Sequence, residues 1–295
     1  MDDKRVMTYQ QFRTTFNHKL AEHYDKTEVD SLFFILIDFH FGISRVHWYE
    51  KKWMEMPNDK NKIVFEHLER LSQNEPIQYV LETQWFYGLK FKVTNSVLIP
   101  RPETEELVDW IIKDYKNDSR KLSILDIGTG SGCIAISLAS ENPNFDVYAI
   151  DVSEDAIKVA IENTTANNVT LNLKCINVLD EEVRDNQFEG FKFDIIVSNP
   201  PYVRKQEMGL IHENVLNYEP NLALFVEDNL PFVFYTNIAD FASKFLIEGG
   251  SLYFEINEFL GDELLGHLQA KQQFINIELR KDLNGKNRMM KLTKA

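Results

Sequence analysis

The sequence predicts an α/β fold: a parallel sheet interleaved with helices, closed by an antiparallel hairpin and preceded by a small helical domain. Three observations lead there. Apolar, β-branched runs recur near residues 124, 147, 173, 193 and 251, with helical segments near 133, 154, 231 and 258 between them, the alternation that builds parallel sheets. A glycine-rich turn, Gly128-Thr129-Gly130-Ser131-Gly132, joins the first of these strands to its helix. Ahead of them, residues 1–75 read as consecutive helices. A chain of 295 residues has room for about two domains. The expected division is 1–75 (helical), 76–100 (a linker carrying a β-hairpin) and 101–295 (the α/β domain).

The elements follow in order. Residues 8–24 place Phe12, Phe16, Leu20 and Tyr24 at every fourth position, a helical stripe. Thr27, with Asp30 three residues on, is the expected N-cap of the next helix, which stops at Gly42. Ser44 is expected to open a third helix with Val46, Trp48, Tyr49 and Trp53, ending before Pro57. Lys62 to Ser72 makes a fourth, burying Ile63, Phe65, Leu68 and Leu71. The aromatic side chains of this domain read as core, and no polar cluster there suits catalysis. Gln84 to Val97 alternates as a hairpin turning near Gly88. Prolines 100 and 102 with Glu103 and Glu105 suit the start of a helix, Leu107 to Tyr115. The chain closes with a hairpin, Asn276 to Leu292, turning at Asn284-Gly285. This pattern is Rossmann-like.

The glycine turn reads as a nucleotide-binding loop: glycines let the backbone approach a ligand, and the helix from Cys133 offers unpaired N–H groups. Its spacing is G-x-G-x-G rather than G-x-G-x-x-G, and no Lys-Ser/Thr follows, which argues against a P-loop and disfavours a dinucleotide. Asp126, ending the preceding strand, would repel a pyrophosphate but can accept hydrogen bonds from an amino acid's ammonium group. Asp151, at the tip of the next strand, can grip both ribose hydroxyls; the alternative is a helix-capping role beside Ser153-Glu154-Asp155. Adenosine without phosphates, joined to a sulfonium and an amino acid, is S-adenosylmethionine. Its expected site comprises Asp126, Gly128, Thr129, Gly130, Ser131, Gly132 and Asp151.

The run Phe193 to Ser198 ends in Asn199-Pro200-Pro201-Tyr202. The loop after such a strand is where open α/β sheets bind ligands. Two prolines stiffen it and remove two donors, leaving carbonyls free, and Asn199 is held extended. The result is a ledge of acceptors beside a flat ring, suited to a planar –NH2 group; the plainer reading is a turn. Asn199, Pro200 and Tyr202 are the expected catalytic residues. Substrate is expected to meet Asn199, Pro200, Pro201 and Tyr202, together with Pro102 and Glu103, and Asn199 also to face the cofactor.

Charge limits the partners. Of a net charge of −14, residues 1–84 hold 11 Lys and Arg against 14 Asp and Glu, and the remainder 21 against 32. So acidic a domain is poorly equipped to grip phosphate backbones; a protein partner with a basic surface fits better. No run approaches the roughly 20 apolar residues of a membrane span, and the acidic N-terminus has no signal-peptide core. A cytoplasmic enzyme is expected, without nucleic acid or membrane as a direct partner and as a monomer. Cys133 and Cys175 read as free core thiols, and the seven His, including His212 and His267, show no metal spacing, so no metal is expected.

At this point the chain resembles the bacterial family of protein-(glutamine-N5) methyltransferases that modify peptide chain release factors. The matching stretches are Pro76 to Val80, Val97 to Glu105, Asp126 to Cys133, Asp151, Asn199 to Tyr202, Glu219-Pro220 with Ala223-Leu224, and Asp282, Gly285 and Arg288. The resemblance spans residues 8–295. Asn-Pro-Pro-Tyr is shared with adenine-N6 and guanine-N2 methyltransferases; the Ile-Pro-Arg-Pro-Glu-Thr-Glu block is more specific. The resemblance implies S-adenosylmethionine as donor, the glutamine of a Gly-Gly-Gln loop in release factors as acceptor, and a helical domain that docks the substrate. Two departures stand out: Glu82-Thr83 where the family has glycine, and Val178-Leu179 where relatives place an acidic-aromatic pair, so that Leu179 is the expected adenine contact. Two other readings remain open. A nucleic-acid N-methyltransferase would insert a flipped base beside Tyr202 and calls for a basic groove. A non-catalytic S-adenosylmethionine-binding adaptor would have no need of an intact Asn199–Tyr202 ledge.

Overall fold

The computed structural model describes residues 7–295, which pack as two compact units: residues up to Glu82 with Glu213–Tyr218, and Thr83–His212 with Glu219–Ala295. In the smaller unit, α1 (Tyr9–Leu20) starts with a capping box, Gln11 N donating to Thr8 Oγ1 and Thr8 N to Gln11 Oε1. Its stripe of Tyr9, Phe12, Phe16 and Leu20 is buried as expected. Helix α2 (Lys26–Phe41) ends at Gly42, at φ 63°. Its cap is Asp25 rather than Thr27: the Asp25 carboxylate accepts from Thr27 N and Glu28 N at 2.7 and 2.9 Å, and a charged acceptor at the positive end of a helix outcompetes a hydroxyl.

Helix α3 is reduced to Trp48–Lys51. Only Trp48 has a core to join, edge-on to Phe33 and Phe34 at 5.1 and 5.7 Å, while Val46, Tyr49 and Trp53 are exposed. Helix α4 (Asn58–Leu71) begins earlier than expected, and its buried face is Val64, His67, Leu68 and Leu71. Ile63 and Phe65 are exposed, because the i, i+4, i+7 stripe runs through 64, 68 and 71. A single turn, α5 (Ile77–Val80), completes this stretch. Arg70 ties it down, bidentate to Glu75 at 2.6 and 2.7 Å and donating to the carbonyls of Tyr79 and Val80.

The larger unit opens with the hairpin β1 (Gln84–Phe86) and β2 (Leu89–Phe91). Its Phe86 and Phe91 are fully buried in this unit's core beside Leu107, Trp110 and Ile136. Then come α6 (Pro102–Tyr115), β3 (Leu122–Ile127), α7 (Cys133–Glu141), β4 (Phe145–Asp151), α8 (Glu154–Ala166), β5 (Asn172–Cys175), α9 (Glu181–Gln187) and β6 (Phe193–Ser198). Residues 203–226 hold two-residue strands β7 (Val203–Arg204) and β8 (Phe225–Val226), a tight helical turn (Lys205–Leu210) and the short helix α11 (Asn221–Leu224), interrupted by α10 (Glu213–Tyr218), which belongs to the smaller unit. The chain finishes with α12 (Val233–Phe245), β9 (Leu246–Glu255), α13 (Gly261–Ala270), β10 (Phe274–Lys281) and β11 (Asn287–Lys294).

Seven strands form one sheet in the order β10-β11-β9-β6-β3-β4-β5. From β9 to β5 all pairings are parallel, and β11 runs antiparallel to β9 and β10. Strand order reverses at β3, the switch point where doubly wound sheets bind ligands. Two apolar clusters cover the faces: one joins the sheet to Tyr235, Phe241, Leu264 and neighbours, the other to Leu107, Trp110, Ile136 and neighbours. Among the described residues no helix is long and apolar enough to cross a membrane. Cys175 departs from expectation: it is exposed, because β5 is the edge of the sheet.

Glu82 shows what the missing glycine meant. It is exposed and held at φ 49°, the left-handed region that L-residues with a Cβ avoid. Glu82→Gly is therefore expected to stabilise the protein by about 1 kcal/mol, the relief of strain exceeding the added unfolded-state entropy. Thermal melting checks this; an unchanged or lowered midpoint would contradict it.

Candidate active site

Strand register assembles the site. Ile127 pairs with Ile150 and with Ser198, and Ser198 pairs with Phe254. Four strands thus end level, and the next residues in each, Gly128, Asp151, Asn199 and Glu255, stand along one edge of the sheet. Ser198 Oγ donates to Ile127 O at 2.7 Å, bracing two of these ends. In the glycine loop Gly128, Gly130 and Gly132 all have positive φ, 77°, 54° and 82°. A Cβ on Gly132 would lie 2.9 Å from Ile136 Cδ1, a side-chain tip that can shift, so it is the φ of 82° that calls for glycine there.

Buried polar groups hold this loop. Asp126, fully buried, accepts from Thr129 Oγ1 at 2.6 Å, and its other oxygen has no hydrogen-bond partner. Burial, with the Asp151 charge adding to it, pushes its carboxyl up to about 7. Asp151 accepts from Gly130 N and Ser153 N, both at 2.9 Å, and burial raises its pKa also. Ser153, not Asp151, is the N-cap of α8, accepting from Ala156 N. From behind, fully buried Asn163 of α8 donates to Ser131 O at 2.8 Å and Lys92 O at 2.9 Å, and accepts from Lys92 N at 2.6 Å.

The Asn199 loop is tied down at its inner side. Asn199 Nδ2 donates to Thr104 Oγ1 at 3.4 Å, and Thr104 Oγ1 donates to Glu255 Oε2 at 2.6 Å. The Tyr202 hydroxyl donates to the other carboxylate oxygen of Glu255 at 3.1 Å, and its carbonyl accepts from Asn257 Nδ2. Thr104 and Glu255 are 2% and 1% exposed, and burial raises the pKa of Glu255. Among the described residues no hydrogen bond occupies Asn199 Oδ1 or the Pro200 carbonyl.

A cavity of about 170 Å³ opens at these strand ends. Of the residues expected from sequence, it is lined by Gly128, Thr129, Gly130, Ser131, Asp151, Asn199, Pro200 and Pro201. Asp126 and Gly132 stand behind the loop and shape it. Tyr202 does not line the cavity: its ring packs on the core and its hydroxyl is engaged by Glu255. Pro102 and Glu103 also lie outside the lining, whereas Arg101 and Thr104 are in it, because residues three apart share a helix face. Leu179, 38% exposed, turns away, and Val178 and Ile176 face the cavity instead.

Sequence reasoning gave no place in the site to five other groups. Ser96 to Leu98 form part of the lining. Glu219, buried, accepts from Arg101 at 2.5 Å and from Ile99 N at 3.3 Å, fastening the stretch before α6. Glu255 and Asn163 had no sequence signal, since a lone acid at a strand end and an Asn within a helix are common. Glu105 accepts from Tyr87 N, holding the β1–β2 turn. Among the described residues no cluster of His, Cys, Asp and Glu could hold a metal.

The donor set fits S-adenosylmethionine. Asp151 offers the cavity a carboxylate at the tip of β4, and Val152, Ile176 and Val178 an apolar wall, while Asp126 keeps an unpartnered oxygen buried behind the loop. Among the described residues no Lys lines the cavity, and its Arg101 is engaged by Glu219.

Comparison with known proteins agrees with this architecture. A family model described as "Methyltransferase small domain" matches residues 107–222. The release factor glutamine methyltransferase of Flavobacterium psychrophilum is 45% identical over 97% of this chain and 99% of its own length. That of Bacteroides thetaiotaomicron is 39% identical over 92% of this chain and 95% of its own. Among solved structures, the hMettl16 catalytic domain, determined with the MAT2A 3'UTR hairpin 6, superposes with a TM-score of 0.52 at 16% identity, covering 82% of this chain and 84% of that one. That likeness shows the fold alone.

Burial of Asp126 has a measurable consequence. Its carboxyl rises from 3.8 to about 7 on folding, so between those values the native state keeps a proton that the unfolded chain has lost. Its contribution favours folding at the acid end and is lost as pH rises from about 4 to about 7, by up to about 1.4 kcal/mol per pH unit. Asp126→Asn should remove this slope. Urea unfolding of both proteins across that range decides it; parallel slopes would refute the assignment.

Proposed function

Because the chain belongs to the release factor glutamine methyltransferase family, we propose that it methylates the side-chain amide nitrogen (N5) of the glutamine in the Gly-Gly-Gln motif of peptide chain release factors. S-adenosylmethionine, when bound, supplies a methyl group carried on a positively charged sulfur. The glycine loop from Gly128 to Gly132, braced from behind by Asp126 through Thr129, would hold its amino acid portion, Asp151 its ribose, and Val152, Ile176 and Val178 its adenine. The observation that carries the reading is the pair of unoccupied acceptors, Asn199 Oδ1 and the Pro200 carbonyl, on the cavity edge.

An amide nitrogen is a poor nucleophile because its lone pair is delocalised into the carbonyl. Asn199 Oδ1 and Pro200 O accept its two N–H bonds, which fixes the –NH2 group and turns its face toward the methyl donor. The same acceptors stabilise positive charge growing on nitrogen during transfer. Orientation supplies much of the remaining acceleration. No base is required beforehand, since the proton leaves after the nitrogen has become acidic. Pro200 and Pro201 keep the ledge from relaxing, and Tyr202 anchors it from inside through Glu255. A release factor offers this ledge a glutamine amide on a peptide loop, and the acidic surface of the chain suits a basic protein partner better than a phosphate backbone.

Two experiments test the reading. Methyl-labelled S-adenosylmethionine, offered with purified release factor and separately with rRNA and DNA, should label the Gly-Gly-Gln glutamine; label in nucleic acid alone would overturn the assignment. Asn199→Ala should lower turnover by at least about 10²-fold while leaving S-adenosylmethionine affinity nearly unchanged. A variant with near-normal turnover would exclude Asn199 as the amide acceptor.

A further inference from the structure

We infer that Thr104 and Glu255 are positioning residues for methyl transfer, fixing which way the Asn199 amide faces. The inference rests on the role of Asn199 proposed above and extends it to two buried side chains. Thr104 is in the first turn of α6 and Glu255 is the last residue of β9. Neither belongs to the Asn199–Tyr202 segment.

The direction of the hydrogen bonds follows from proton counting. A threonine hydroxyl has one proton and two lone pairs, and an ionised carboxylate only accepts. The 2.6 Å contact between Thr104 Oγ1 and Glu255 Oε2 therefore uses the Thr104 proton. Toward Asn199 the hydroxyl can only accept, so the Asn199 atom 3.4 Å away must be the –NH2 nitrogen. Oδ1 is then left for the substrate amide. Were the Asn199 amide reversed, Oδ1 would face a hydroxyl lone pair and the –NH2 would meet another –NH2. Both contacts would be repulsive, and neither group at the inner end has water to turn to, Thr104 being 2% and Glu255 1% exposed.

The carboxylate is the source of this polarity. Tyr202 donates to its second oxygen and Tyr235 to its backbone carbonyl, so Glu255 is surrounded by donors. Burial and the nearby Glu103 charge push its pKa up, and the Thr104 hydroxyl, the Arg288 charge and the Tyr202 hydroxyl oppose that by favouring the ionised form. A glutamine at 255 would keep the shape but bring an –NH2 group. Donating that to Thr104 would release the hydroxyl proton toward Asn199 and let the amide turn over.

The test is a mutant cycle read by steady-state kinetics with release factor, together with calorimetric affinity for S-adenosylhomocysteine. Thr104→Val and Glu255→Gln should each lower kcat on the order of tenfold to a hundredfold. The KM for release factor and the affinity for S-adenosylhomocysteine should stay within about twofold of wild type. Thr104→Ser, which keeps the hydroxyl, should restore most of the turnover. The double variant should be no slower than the slower single one, because both break the same chain. Wild-type kcat in Glu255→Gln, equal loss in Thr104→Ser and Thr104→Val, or multiplicative losses in the double variant would each overturn the inference. Should Thr104→Val fail to fold, Glu255→Gln against Thr104→Ser decides alone. An inactive Asn199→Ala beside a fully active Glu255→Gln would sink this inference and spare the reading of Asn199. An active Asn199→Ala would sink that reading itself.

Discussion

Parallel hydrogen bonding ends β3, β4, β6 and β9 level, through the pairs Ile127 with Ile150, Ile127 with Ser198, and Ser198 with Phe254. Everything in the cavity depends on that register. It sets the glycine loop, Asp151, Asn199 and Glu255 side by side although more than a hundred residues separate the first from the last. Side chains alternate along a strand, so a slip of one residue in β6 would turn Asn199 to the opposite face. What prevents the slip is apolar: Ile195, Ile196 and Val197 are all fully buried, as strands covered on both faces require. The Ser198 bond to the Ile127 carbonyl then secures the tips.

The same geometry gathers negative charge where little water reaches. Asp126, Asp151 and Glu255 are each raised in pKa by burial. Each is also met by donors: Thr129 for Asp126, two backbone N–H groups for Asp151, Thr104 and Tyr202 for Glu255. Burying a carboxylate is costly unless it is so satisfied. A cationic ligand gains from that arrangement and a phosphate loses. Asp151, the carboxylate of the three that lines the cavity, thus disfavours a phosphate on grounds independent of the glycine spacing.

Much of this was legible in the sequence, for reasons that differ by element. The five parallel strands and the closing hairpin were found because long apolar runs and an Asn-Gly turn are strong local signals. The glycine loop and Asn199-Pro200-Pro201 were found because they require unusual residues at fixed positions. Helix α3 and the buried face of α4 were misjudged because several apolar residues competed for one stripe, and only packing against Phe33 and its neighbours settles which turn inward. The short elements between residues 203 and 226 have no period to read. Tyr202 was expected beside the substrate, yet its hydroxyl seeks a carboxylate that the sequence places 53 residues further on. Local pattern cannot show that.

The block from Ile99 to Glu105 had family resemblance but no physics behind it, and the structure supplies one. Its residues divide by helix geometry. Arg101 turns to Glu219 and Thr104 to Glu255, while Glu105 fastens Tyr87 of the hairpin. The helix start is thus anchored to three separate segments, and one anchor, Thr104, also touches Asn199. An Asn-Pro-Pro-Tyr ledge can hold any flat –NH2 group, so the ledge by itself leaves the acceptor open. The block fixes the amide of Asn199 from behind and shapes the cavity beside it. The set of the Asn199 side chain therefore depends on the helix N-terminus behind it as well as on the ledge's own prolines.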